Sequence, residues 1–379
     1  MSVERVALGE IATIVAGQSP AGSTYNEGGF GMPFFQGKAD FGDSHPIARK
    51  WCTEPRKIAE AGDILISVRA PVGPTNVAGE RCCIGRGLAA IRPDESVATR
   101  DFVLWAIKQR APLLVAKAQG STFPAIGQKD LKNLLVPFRP LHEQRRIVAI
   151  LNRAAKIERL RAQAAERLRE FVPALFERMF GDPVQNPKGW VVAKLGEVGT
   201  LDRGRSRHRP RNAPELYGGP YPFVQTGDVA GSGGIIRQAS QCYSDLGLRQ
   251  SKMWPAGTLC ITIAANIGET GVLAFDACFP DSVVGFVPKQ DLATVEYVQG
   301  ALDSMQARLE EGAPMAAQRN INLRILRALP LAIPPVELQR RFGRVVWQAR
   351  GVAETVGAGT ASASKVTQAL MRRLLGEPA

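Results

Sequence analysis

The sequence predicts a mixed α and β protein (α+β): two globular domains joined by two long antiparallel coiled-coil helices, arranged as a pseudo-twofold internal repeat. Three observations carry this expectation. The first is that one unit is written twice. Leu141-His142-Glu143-Gln144-Arg145-Arg146-Ile147 returns as Val336-Glu337-Leu338-Gln339-Arg340-Arg341-Phe342, an offset of 195. Ala61-Gly62-Asp63-Ile64-Leu65-Ile66-Ser67 returns as Ala256-Gly257-Thr258-Leu259-Cys260-Ile261-Thr262 at the same offset. The second is that each unit opens with a stretch rich in Gly, Pro and short β-branched runs, which reads as buried strands joined by turns. The third is that each unit closes on a charged segment whose apolar residues recur at three and four residue steps, the pattern of a helical seam.

Taken in order, the elements are a first domain over residues 1–140, a first long helix over 141–182, a second domain over 188–335 and a second long helix over 336–376. Leu8-Gly9-Glu10 matches Leu195-Gly196-Glu197 at 187, and Pro33-Phe34-Phe35-Gln36 matches Pro222-Phe223-Val224-Gln225 at 189. The second copy therefore carries eight extra residues ahead of its Ala-Gly turn. Length changes of this kind belong in surface loops, where binding residues concentrate. The runs at 63–68 and 259–263 read as buried strands. In the first long helix the seam is Ile147, Leu151, Ile157, Leu168, Phe171 and Leu175, and Pro173 is expected to kink or break it. In the second it is Phe342, Val346, Val356 and Leu370, weakened by Gly351, Gly357 and Gly359, so this helix needs a partner. The other long helix is the obvious one. At ~1.5 Å per residue, such a rod is roughly 57 Å long.

Charge narrows the partner. Lys and Arg total 48 against 35 Asp and Glu, a net +13, and the copies share it as +7 and +6. Such a balance favours a polyanion. A membrane is the weaker choice, because no apolar stretch approaches the ~18 residues a spanning helix needs. The first residues do not read as a signal peptide, so a cytoplasmic location is expected. The six cysteines form no C-x-x-C pair and read as buried small apolar side chains rather than zinc ligands or disulfides. Nucleotide-loop, zinc-protease and nucleophile-elbow motifs are missing. Asp94 with Asp130 and Lys132 loosely suggests a metal-dependent nuclease, but the second copy has Lys289, Ile325 and Arg327 there.

With Pro140-Leu141-His142-Glu143-Gln144-Arg145-Arg146, Phe180-Gly181-Asp182-Pro183 and Asn186-Pro187-Lys188-Gly189-Trp190 in place, the chain resembles the specificity subunit of type I restriction-modification systems over essentially its whole length. That resemblance implies a non-catalytic subunit with two target-recognition domains. Each would read one half of a bipartite, asymmetric site in double-stranded DNA. The helices would serve as a ruler and as the docking surface for two methyltransferase subunits, joined by restriction and translocase subunits. No cofactor is expected on this chain; S-adenosylmethionine, ATP and Mg²⁺ would sit on the partners. The competing readings are a coiled-coil assembly scaffold and, far behind, the stand-alone nuclease.

The sharpest local feature is the run at 203–211, where arginines alternate with other residues. In an extended segment Arg203, Arg205, Arg207 and Arg209 share one face, with His208 between, and can lie along phosphates or place a guanidinium on guanine. Its counterpart in the first copy, residues 16–20, keeps the glycine and the serine but not the arginines, and offers Gln18 and Ser19 as its candidates. Gln36 matches Gln225, with Lys38 following in the first copy and Thr226 in the second. Gln can read adenine and Thr a thymine methyl, and packing at the strand end is the competing role. Arg69 and Asn266 follow the buried strand of each copy, and Arg86 corresponds to Asp281. Ser121 and Thr122, and Arg319 and Asn320, precede the last short helix of each domain. At the helix starts, Gln144, Arg145 and Arg146, and Gln339, Arg340 and Arg341, are expected to face a DNA spacer or a partner subunit.

Overall fold

A computed structural model describes residues 4–118, 124–264, 267–312 and 322–376. The chain forms two compact units: Met1–Ala162 with Ala358–Ala379, and Gln163–Gly357. Each unit thus holds one globular domain and one half of each long helix.

In the first unit the strand Arg5–Ala7 pairs antiparallel with Leu135–Pro137, tying the two ends of the domain together. A four-stranded antiparallel sheet follows, in the order Ala12–Ala16, Leu88–Pro93, Ile64–Ser67, Thr75–Val77. The strand Ile64–Ser67 is buried on both faces. Its period of two sends Ile64 and Ile66 into the core beneath the helix Arg100–Lys117, and Leu65 into a second core with Phe35, Ile84 and Leu88. Gly62, in the turn before this strand, has φ +90, which a side chain would strain. A five-stranded sheet, ordered Tyr25–Asn26, Trp51–Cys52, Met32–Phe35, Cys82–Ile84, Ile58–Ala59, packs on that second core. Five of the six cysteines are buried and all are free thiols; burial pushes Cys82 up to about 12.

The second unit repeats the plan. Gly199–Arg203, Val283–Pro288, Leu259–Thr262 and Thr270–Leu273 take the places of the first sheet, and Ile235–Ile236 adds a fifth, parallel strand. Strand registers show how the lengths differ. The second copy is five residues longer in the arginine loop, three shorter in the hairpin that carries Phe30, and six longer before its Ala-Gly turn, a net of eight.

The long helices are Leu141–Phe180 and Val336–Leu375. The first runs unbroken through Pro173, and the second through its three glycines. In the first unit, Phe102 and Trp105 pack with Ile147, Leu151 and Leu375, so the start of one helix meets the end of the other. The second unit mirrors this: Phe176 and Phe180 meet Tyr297 and Phe342, with Phe180 and Tyr297 edge-to-face at 4.8 Å. Start against end in both units means antiparallel pairing. The offset of 195 maps Tyr297, Phe342, Phe176 and Phe180 onto Phe102, Ile147, Met371 and Leu375, so one packing scheme is used twice.

The seam corrects the sequence reading at two positions. Ile147, Leu151, Phe342 and Val346 are buried, and Leu168, Leu175, Val356 and Leu370 are half-buried. Ile157 and Phe171, however, are 46% and 40% exposed. The buried stripe advances in steps of four, through Ile147, Leu151 and Ala155 in one half and Val172, Phe176 and Phe180 in the other. Ile157 borders a groove of about 720 Å³ to which the partner helix contributes the small Gly359, Ser362 and Ala363 as well as Val366 and Leu370, and the first helix Ile150 and Arg161.

Candidate nucleic-acid interface

In the second domain the strand Gly199–Arg203 runs into the arginine loop. Gly204 and Ser206 face inward while Arg203, Arg205 and Arg207 are exposed, the alternation expected of an extended segment. Main-chain bonds fix this geometry: Gly204 N donates to Val283 O at 3.0 Å and Arg205 N to Phe279 O at 3.0 Å. Gln250 Oε1 accepts from both Arg207 N and His208 N, at 2.6 and 3.1 Å, and Ser251 Oγ donates to Arg205 O at 2.8 Å. The loop is therefore a built surface. A Cβ at Gly204 would lie 2.1 Å from Phe279 O and 2.4 Å from Pro280 O. Gly204→Ala is accordingly expected to cost about 1–3 kcal/mol in stability and to weaken DNA binding, read by thermal unfolding and a binding titration on the same preparation.

The remaining cations of the run are spent otherwise. Arg209 Nη1 donates to Ser206 O and His208 O, closing the loop on itself. Arg209 therefore leaves the shared face assigned to it from sequence, because its guanidinium caps local carbonyls. His208 is half-buried and faces Glu215 at 3.9 Å. Arg211 pairs with Asp281 at 2.9 Å. Lys252, which the sequence did not single out, sits 3.8 Å over the Trp254 ring and 3.0 Å from Asp202. Desolvation raises the Asp202 carboxyl, but the Lys252 ammonium, the Arg203 backbone N–H and the Arg205 charge together hold the group below its ordinary range. Gln225 joins the same patch, since Val224 N donates to Cys278 O beside Phe279. Its side chain donates to Gln241 Oε1 at 2.7 Å. Thr226 opens the short helix Thr226–Ala230 that Asp228 caps by accepting from Gln225 N.

The first domain gathers its candidates around residues 85–87. Gln18 N donates to Ile84 O, Ser19 Oγ accepts from Arg86 N at 3.3 Å, and Gly85 N donates to Phe35 O, so Gln18, Ser19, Gln36 and Arg86 converge. Gly17 and Gly87 permit this approach, because a Cβ at either would stand 2.2 Å from a carbonyl oxygen. Lys38 follows in a one-turn helix held by Asp40, which accepts from Gln36 N at 2.6 Å. Arg69 is exposed and bridged to Ala125, next to Val68, whose N donates to Gly87 O of the same turn. Ser121, Thr122, Asn266, Arg319 and Asn320 lie outside the described residues.

At the helix starts the sequence reading fails for the glutamines. Gln144 and Gln339 are 0% exposed. Gln144 Oε1 accepts from Thr99 N at 2.8 Å, and its Nε2 donates to Val97 O and Arg139 O at 2.9 and 2.7 Å. Gln339 repeats all three bonds, to Thr294 N, Leu292 O and Pro334 O, at 2.9, 3.0 and 2.8 Å. A fully buried side chain whose polar atoms are all engaged by main-chain partners does not face DNA or another subunit; it joins helix to domain. Arg145, Arg146, Arg340 and Arg341 remain exposed, with Arg340 paired to Glu337.

Two domains of one design, each presenting polar and cationic side chains from the same turns, set the context for comparison with known proteins. The model of the type I restriction modification DNA specificity domain matches residues 2–168 and again 187–346. The chain belongs to this family. Among curated specificity subunits, it is 39% identical over 155 residues to that of the putative type I restriction enzyme MjaX of Methanocaldococcus jannaschii, covering 41% of this chain and 36% of the relative. It is 27% identical over 217 residues to the MjaIX specificity subunit of the same organism, covering 52% of this chain and 48% of the relative. The chain thus matches less than half the length of either. The fold of this specificity chain is similar to the S subunit of a type I restriction-modification system from M. genitalium, with a TM-score of 0.67 and 15% identity over 100% of this chain and 97% of that one. It is also similar to a chain from a study of complex assembly and conformational transition of the type I R-M system, with a TM-score of 0.58, 19% identity and coverage of 99% and 98%.

Among the described residues no helix is long and apolar enough to cross a membrane, and no group of His, Cys, Asp or Glu is placed to hold a metal ion. Asp94 and Asp130, the loose nuclease candidates, cap local turns instead, through Ser96 and Gly127 N.

Proposed function

We propose that this chain is the DNA-reading subunit of a type I restriction-modification complex and catalyses nothing itself. Each domain reads one half of a bipartite, asymmetric site in double-stranded DNA. Two methyltransferase subunits, and restriction and translocase subunits, assemble with it in the cytoplasm and carry S-adenosylmethionine, ATP and Mg²⁺. The observation that carries this reading is that equivalent stations on one scaffold hold different exposed side chains: Arg203 and Arg205 in one copy, Ala16 and Gln18 in the other. Identical frames with divergent exposed groups suit two readers of different sequences. The exposed apolar groove of Ile150, Ile157 and Val366 is the face we assign to methyltransferase docking.

Salt separates this from the scaffold reading. If about six phosphates are contacted, raising salt from 50 to 200 mM weakens binding roughly 10³-fold, with one gapped sequence preferred over others. A chain whose affinity for duplex DNA ignores both salt and sequence would be a scaffold. In cells carrying the chain with its methyltransferase, the expected methylation motif is gapped and asymmetric, with a modified adenine in each half.

A further inference from the structure

One station carries opposite charge in the two domains. In the first, residues 85–87 turn beside Gln18, Ser19 and Gln36 and expose Arg86. The offset of 195 puts Asp281 at that place in the second. There the turn at 279–282 seats the arginine loop, through Phe279 O on Arg205 N and Val283 O on Gly204 N. Those bonds are all main-chain, so the fold sets no requirement on the side chain at 281. Asp281 is 42% exposed, and its Oδ2 accepts from Arg211 Nη2 at 2.9 Å.

A carboxylate in a cationic patch subtracts from attraction to phosphate. It gains only where a ligand offers it a hydrogen to accept. In the major groove that group is the exocyclic amine of cytosine or adenine, whereas guanine O6 and N7 and thymine O4 are acceptors that an aspartate repels. Arginine has the converse preference. Arg211, brought over by the longer loop of the second copy, neutralises part of the charge and fixes the carboxylate plane.

We propose that Asp281 determines specificity in the second domain by accepting a hydrogen bond from an amino-bearing base, while Arg86 at the same station of the first domain donates to guanine. This rests on the chain being a DNA reader. The test uses the full chain with its methyltransferase, a duplex library randomised over both half-sites, and sequencing of bound DNA for wild type, Asp281→Asn and Arg86→Ala. Asparagine keeps the oxygen that Arg211 needs and the size of the side chain, but adds a donor where only acceptance was possible. At one position of one half-site, Asp281→Asn is expected to reduce amino-over-keto discrimination roughly tenfold and leave the other half unchanged. Arg86→Ala relaxes a guanine position in the opposite half. If Asp281→Asn binds more tightly yet enriches the wild-type sequences, the carboxylate only tunes charge or holds Arg211, and the proposal falls. If wild type itself enriches no sequence, the DNA-reading function fails, and this inference with it.

Discussion

Replacing Arg203, Arg205 and Arg207 together by alanine is expected to remove most of the DNA affinity contributed by the second domain while leaving the fold intact. All three are exposed on one face of a loop whose shape is set by Gly204, Ser206, Gln250 and Ser251 rather than by the guanidinium groups. Each phosphate that is no longer neutralised lowers the salt slope by about 0.9, so three lower it by about 3. A single arginine that reads guanine costs about 1–3 kcal/mol and relaxes one position. Single substitutions measured at two salt concentrations therefore sort the three into those that bind the DNA backbone and those that read a base. An unchanged affinity of the triple variant for the cognate duplex would remove the loop from the interface.

The second large effect concerns stability. Gln339→Ala leaves Thr294 N, Leu292 O and Pro334 O without partners inside the structure, and Gln144→Ala does the same to Thr99 N, Val97 O and Arg139 O. A fully buried orphaned group costs about 1–3 kcal/mol, and these, all but Pro334 O on half-buried or exposed residues open to water, cost about 1 kcal/mol each. A loss of about 3 kcal/mol is expected for either variant, read as a lowered midpoint in denaturant. Sharing no partner, the two should add within about 0.5 kcal/mol. Had these side chains faced DNA, substitution would lower affinity and leave the midpoint alone.

The glutamines also show where sequence reading stops. A polar residue between helix-start charges looks solvated, and its partners in the preceding turn are 45 positions away. A signal was nevertheless present: Gln144 and Thr99 recur together as Gln339 and Thr294, at one spacing of 45, while Gln18 gives way to Arg205. The arginine loop was legible because period-two alternation is a local property. Lys252 and Gln250 were not, since they reach that loop from more than 40 residues further along. The repeat made the architecture legible, but the seam was misplaced at Ile157 and Phe171. Heptad spacing assumes bulky partners, and the facing helix supplies Gly359, Ser362 and Ala363.

The glutamine joint grips its domain through main-chain atoms alone, two carbonyls and an amide in each copy counting the residue before the helix. Such a fitting is blind to side-chain identity. Any loop sequence that preserves the turn can be mounted on the same helix, so what the molecule reads is free to drift while how it is assembled stays put.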